Sequence, residues 1–239
     1  WDDIRGPKSP TTAFILGSGS SINRLSRAMF RQIGSQWSLA LNMWHMHHDF
    51  VPDILLVEVL DEPLWQSLTR RTPGKVPDLI LATRFGSSRA NANLQLDMIP
   101  ATLAHKVKYY TSLPMLGQTP KSYSQYLALF EQGFDCAPIA GPSRTSLERA
   151  ILIAALAGAR DIVLCGVDLI GPPFWETPNN DTWRRHPTNL GRSFRTSVHR
   201  RLPVLSNVLF QSLGVRLSLA VEAGLLAGDF PIFAWHDLD

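Results

Sequence analysis

The sequence predicts an α/β domain with a Rossmann-like, mostly parallel sheet, helices on both faces and a lid segment. Three observations lead there. Short apolar runs such as Phe14-Ile-Leu16, Ile54–Val57 and Ile162–Val167 lack polar alternation, as strands buried on both faces do. Helical patterns separate these runs, which supplies the crossovers that parallel pairing needs. Two runs end on Asn42 and Asp168, polar residues placed at the carboxyl edge, where open α/β sheets keep their ligands. With 239 residues and 45% hydrophobic content, the chain can bury one sizeable core, so a single domain over 1–239 with six or seven strands is expected.

In chain order, Thr12–Gly17 is a strand, followed by Ser18-Gly-Ser-Ser21 and a helical pattern to about Ile33. Ser38–Asn42 and Asp53–Glu58 are the second and third strands, and Pro63–Arg71 a helix. Asp78–Thr83 and Lys106–Thr111 are the fourth and fifth strands, with a polar helix or loop between them. Tyr123–Gln132 is helical. A polar start at Arg144-Thr-Ser146 then opens a small-residue apolar helix that turns at Gly158 into the strand Ile162–Val167. A helix from about Val198 to Leu213 and a strand Val215–Ala220 follow. The segment 169–197 has no clear periodicity. It carries Phe174, Trp175, Trp183 and Phe194 with Arg184, Arg185, Arg192 and Arg195, and reads as a substrate lid, against a plain surface excursion.

Composition narrows the partners. A net charge of +3 is too weak for a nucleic-acid claim, but suits an anionic small molecule or an anionic membrane surface. The two cysteines, Cys136 and Cys165, make no disulfide framework, so a reducing cytoplasm is the expected setting. No apolar run reaches the roughly 20 residues of a membrane helix, and no signal peptide is visible. The start at Trp1 suits a piece of a longer protein.

Several residues are candidates for chemistry. Arg144, Thr145 and Ser146 place a cation, two hydroxyls and free backbone N–H groups at a helix N-terminus, which attracts anions. Gly17-Ser18-Gly19-Ser20 between strand and helix reads as a phosphate or nucleotide loop, or as a simple tight turn; it is not a Walker loop. Asn42 suits a base or ribose, and equally a helix cap. Glu58, Asp61 and Glu62 read as helix-start acids rather than a metal set. His45, His47 and His48 have the wrong spacing for a common metal and read as loop wall. His199 stands at the exit of the arginine-rich segment beside Arg200 and Arg201, where an imidazole can act as general base; His186 competes for the role.

Together these pieces resemble the bacterial single-domain sialyltransferases that use CMP-sialic acid, a GT-A-like family of lipo-oligosaccharide enzymes. Where that family has Gly-Asn-Gly-Pro-Ser-Leu after a strand, this chain has Gly17-Ser-Gly-Ser-Ser-Ile22. Where its next strand ends in asparagine, Leu39-Ala-Leu-Asn42 follows suit. Its Thr-Ser pair, alanine-rich helix, Leu-Gly turn and strand ending Ser-Gly-Ile-Asp are matched by Thr145-Ser146, Ala157-Gly158 and Cys165-Gly-Val-Asp168. Its late helix-opening histidine is matched by His199, and the resemblance runs from about Phe14 to Leu226. Ser18 replaces the family's loop asparagine, and two tyrosines that steady the leaving phosphate are absent.

The resemblance implies metal-independent transfer, with no cofactor, from a CMP-sugar donor to a glycan or glycolipid acceptor. This would serve surface glycan synthesis in the cytoplasm or at the inner face of the membrane, by peripheral association. Gly17, Ser18, Gly19, Ser20 and Asn42 would hold the nucleotide; Arg144, Thr145 and Ser146 would meet sugar or phosphate. CMP-Kdo is the close alternative donor, being another activated 2-keto acid sugar. With inversion His199 activates the acceptor hydroxyl; with retention Asp168 is the nucleophile. Two other readings remain open. One is a pterin pyrophosphokinase-like Rossmann enzyme, using Mg²⁺ held by Glu58, Asp61 and Asp168. The other is a non-catalytic nucleotide-binding domain.

Overall fold

The computed structural model describes residues 11–47, 49–57, 62–71, 75–83, 99–112, 119–131, 139–140, 145–171, 173–175 and 192–235. Eight strands form one parallel sheet: β1 Thr12–Leu16, β2 Trp37–Leu41, β3 Ile54–Val57, β4 Leu79–Thr83, β5 Val107–Ser112, β6 Ile139–Ala140, β7 Asp161–Cys165 and β8 Arg216–Leu219. Their order is β6-β5-β4-β3-β2-β1-β7-β8. Every pair is parallel, with Phe14 opposite Ser38 on one side and Val163 on the other. The α/β, Rossmann-like class predicted from the apolar runs is the one observed. All seven predicted strands are present, and β6, only two residues long, is the addition.

Alternating residues of the central strands feed two cores. One side packs Ala13, Ile15, Leu39 and Leu56 under three helices: α4 (Pro120–Glu131), α5 (Ser146–Leu156) and α6 (Arg192–Leu213). The other packs Phe14, Leu16, Ala40 and Leu55 under α1 (Arg27–Ser35), α2 (Glu62–Thr69) and the short α3 (Ala101–Ala104). Helix α5 is apolar nearly all round, and Ala150 through Ala154 are all buried, as a helix wedged between sheet and helix must be. Each fully buried leucine such as Leu152 contributes about 1.5–3 kcal/mol by leaving water. The turn predicted at Gly158 is made with a positive φ of 109°.

Local differences have local causes. The helical pattern after Ser21 is split into a 3-10 turn, Ser20–Arg24, and α1, because the Ser26 hydroxyl caps Met29 N–H (3.2 Å) and starts a new helix there. Helix α6 begins at Arg192, not near Val198, so the last residues assigned to the lid are helical. Residues 173–175 of that segment are pinned instead of loose: Pro173 bridges Gly19, and Phe174 is buried. The middle of the segment, 176–191, lies outside the described residues, as does Cys136; Cys165 is fully buried and its thiol is pushed up by burial. Beyond β8 the chain turns back so that Ile232 bridges Leu219, and Phe233 and Trp235 pack on Phe14. Among the described residues, no helix is long and apolar enough to cross a membrane.

Candidate functional site

The strand order reverses at β1: β2 to β6 lie on one side of it, β7 and β8 on the other. In an open α/β sheet the crevice at such a switch point, beyond the carboxyl ends of the strands, is where ligands bind. Here it lies between Gly17–Ser21 after β1 and Gly166–Asp168 after β7. Asp168 is at the predicted edge, but it faces the glycine loop. Ser21 N–H donates to its Oδ2 at 2.9 Å and the Ser21 hydroxyl donates to Oδ1. A carboxylate thus sits at the start of the Ser20–Arg24 turn, where an anion was expected.

The glycines answer to this packing. Gly17 and Gly19 N–H donate to the carbonyls of Cys165 and Gly166, each at 2.7 Å. A Cβ on Gly17 would lie 2.5 Å from the Gly166 carbonyl, and one on Gly19 would lie 2.6 Å from the Asp168 carboxylate. The Ser18 carbonyl accepts from Phe174 N–H (2.9 Å), while Ser18 and Ser20 stay half-buried at the crevice. On its far side Asp168 is held by Leu225 N–H, which donates to its carbonyl at 2.9 Å, and Leu169 follows at φ 58°, a strained geometry for leucine. A Cβ on Gly224 (φ 68°) would run into the Asp168 carbonyl oxygen, a backbone atom with little room to give way. Gly224→Ala is therefore expected to destabilise the fold by about 2 kcal/mol or more. Urea unfolding reads this; an unchanged midpoint would mean that this turn does not clamp Asp168.

A second group forms where β2 ends. Asn42 takes a left-handed φ of 42°, which asparagine tolerates, and this turns the chain from β2 into a 3-10 turn, Asn42–Met46. Its Nδ2 donates to Ser146 Oγ at 2.9 Å, joining two candidate ligand residues 104 positions apart. Thr145 is the N-cap of α5, its hydroxyl accepting from Glu148 N–H at 3.1 Å. That hydroxyl also donates to Glu148 Oε2 at 3.2 Å. Glu148 is wholly buried and is the hub of a cluster that the candidate residues had not included. Arg201 Nε donates to its Oε1 at 2.7 Å and Tyr123 OH donates to the same oxygen at 3.4 Å. Arg201 Nη1 donates to Ser197 Oγ. Burial, and then the Glu148 charge, push the Tyr123 phenol well above its usual range, so it remains a donor. The signals in the sequence were the Thr145-x-x-Glu148 spacing of a capping box and an arginine four residues after Ser197.

His199 lies on α6, and its Nε2 is 2.6 Å from Asp229 Oδ2, with both side chains about one-third exposed. Asp229 follows the turn Gly224–Leu226, so one segment holds Asp168 with its start and His199 with its end. Pro203, four residues after His199, has no N–H to offer the His199 carbonyl. His199 and Asp168 are thus placed by the same segment with separate partners. His199 is tied to α5 through Arg201, two residues further on.

The remaining candidates divide simply. His45 is buried with Nδ1 3.3 Å from the Asn42 carbonyl, and His47 stacks on Trp44 at 4.7 Å while its Nδ1 accepts from Phe50 N–H. Both rings are packed against neighbouring residues of the turn after β2. Arg144, His48, Glu58, Asp61 and His186 lie outside the described residues, as does the side chain of Glu62. Among the described residues, no cluster of three or more His, Cys, Asp or Glu could hold a metal. No protein-family model matches the chain, and no curated protein sequence matches it.

Proposed function

We propose that this chain transfers a 2-keto acid sugar, sialic acid or Kdo, from its CMP-activated donor to a carbohydrate hydroxyl of a glycan or glycolipid. The observation that carries the reading is the bond between Asn42 and Ser146, which unites the end of β2 with the start of α5 at the ligand edge of the sheet. The resemblance assigns both residues to the donor, and their bond brings two distant segments together. The adjoining helix N-terminus provides positive partial charge for the leaving CMP phosphate.

The chemistry rests on a second pair, His199 and Asp229. With His199 Nε2–H donating to Asp229, the Nδ1 lone pair is free to take the proton of the acceptor hydroxyl. The oxygen attacks the anomeric carbon, the bond to the phosphate breaks, and CMP leaves with the electron pair. Inversion is the favoured route, because each Asp168 oxygen accepts a hydrogen bond from Ser21, which weakens the carboxylate as a nucleophile. CMP release is measured with CMP-sialic acid and CMP-Kdo, each with a carbohydrate acceptor, with and without EDTA. Release resistant to EDTA is expected. Dependence on Mg²⁺ and ATP instead would favour a pyrophosphokinase, and CMP binding without turnover a non-catalytic domain.

A further inference from the structure

We propose that Arg24, Arg27 and Arg31, with Trp175 beside them, form a docking surface for a bilayer of anionic phospholipid. Between Asp3 and Asp49 the chain holds no acidic residue, while it holds Arg5, Lys8, Arg24, Arg27 and Arg31. These five cations exceed the whole chain's surplus of three, so the remainder of the protein is net acidic. Such polarity turns one side of a molecule towards an anionic surface and the other side away from it. The fold gathers part of this charge on one helix. Helix α1 buries Ile33 and packs Met29 and Phe30 against the core, which leaves Arg27 and Arg31, one turn apart, exposed. Neither of these side chains makes a hydrogen bond or ion pair with a described residue. Arg24 is exposed in the turn just before α1, and its Nη1 donates to the Glu222 carbonyl at 2.7 Å. Glu222 at this end and Asp49, next to the Phe50 that packs on Phe30, border the stripe without an ion pair to it among the described residues. An indole completes the surface. Asn23 Nδ2 donates to the Phe174 carbonyl at 2.9 Å, and the Phe174 ring meets the half-buried Trp175 edge-on at 4.9 Å, which brings Trp175 to the turn that carries Arg24. Tryptophan with arginine is the combination of the membrane–water interface, where the ring lies among headgroups and the guanidinium meets phosphate. The stripe spans about two helical turns, a footprint that suits separate headgroups better than the run of a nucleic-acid backbone. Because the Arg24 turn directly follows Gly17–Ser20, the bilayer meets the rim of the crevice, which favours an acceptor that is itself a glycolipid. The surface does not depend on the donor.

The test is co-sedimentation of the full chain with vesicles of equal parts phosphatidylglycerol and phosphatidylcholine, and with vesicles of phosphatidylcholine alone. The parent protein should bind the anionic vesicles only, and less at high salt, because exposed charges are screened. Arg27→Gln with Arg31→Gln should weaken that binding by about 10-fold or more, since each basic residue near an anionic bilayer contributes a factor of about 5. Lys121→Gln with Arg216→Gln removes the same charge at exposed positions on α4 and β8, and should bind as the parent does. All four positions are exposed, and thermal melts verify that both variants are folded. Quenching of tryptophan emission by brominated phosphatidylcholine in the anionic vesicles should fall in Trp175→Ala. Three results would overturn the proposal: no binding to anionic vesicles at low salt, equal weakening in the two double variants, or quenching that is the same without Trp175. Capture of a single-stranded RNA by the parent in place of vesicles would likewise replace the lipid surface with a nucleic acid. Vesicle binding needs no donor sugar, so a failure of CMP release leaves this surface standing, and a failure here leaves the transferase reading standing.

Discussion

Glu148→Ala is expected to lower the unfolding free energy by about 3–5 kcal/mol, the scale for removing one member of a buried ion pair. Three donors converge on this carboxylate from three helices: Tyr123 on α4, Thr145 at the cap of α5 and Arg201 on α6. Alanine leaves the Arg201 charge inside the protein without its counter-ion and strips the Thr145 and Tyr123 hydroxyls of an acceptor. Replacing the pair together, Glu148→Gln with Arg201→Met, should restore much of the loss, because no unpaired ion then remains. Guanidinium unfolding of the single and double variants gives the comparison. A loss below about 1 kcal/mol in Glu148→Ala would mean that water reaches the cluster and screens it.

His199→Ala should lower turnover by roughly 100-fold or more, the usual scale for a lost general base, while CMP binding survives. The imidazole is about one-third exposed, so its removal costs less packing than a core truncation would. Asp229→Asn should act in the same direction, since the carboxylate holds the ring and steadies the imidazolium that forms on proton transfer. Asp168→Asn should act differently, loosening the Ser21 contacts and showing first in stability. Single-turnover rates on all three variants separate the roles. A folded Asp168→Asn without turnover, beside an active His199→Ala, would reverse the assignment and point to retention.

What the sequence revealed depended on how local the signal was. Seven strands were legible, most of the central ones as continuous apolar runs and β8 as a polar–apolar alternation; Ile139-Ala140 is too short to carry a pattern. The start of α6 was misplaced because the polar stretch Arg192–Ser197, with Phe194 as its one aromatic, looks like loop when the helix partner is unknown. Asn42 and Ser146 were found singly, but their bond depends on the sheet bringing residues 104 apart together. Gly17 and Gly19 were singled out for a nucleotide, whereas the neighbours that exclude a side chain at both positions are the residues of β7's exit, Gly166 and Asp168. Glu148 was not among the sequence candidates. Only the fold shows that α4 and α6 close over it. Asp229 carried no signal at all, being a turn residue 30 positions from the histidine it holds.

The position of β1 has a consequence for how the chain is made. It pairs β2 through a local crossover, but its other edge waits for β7, whose first residue lies almost 150 positions downstream. During synthesis β1 through β6 can assemble while that edge, bearing Phe14, Ile15 and Leu16, remains an unpaired apolar template. The late docking of β7 is a long-range closure, which makes slow folding and edge-to-edge association the characteristic hazard of this topology. The same event brings Asp168 to Ser21, so the candidate pocket and the protected sheet edge are completed in one step.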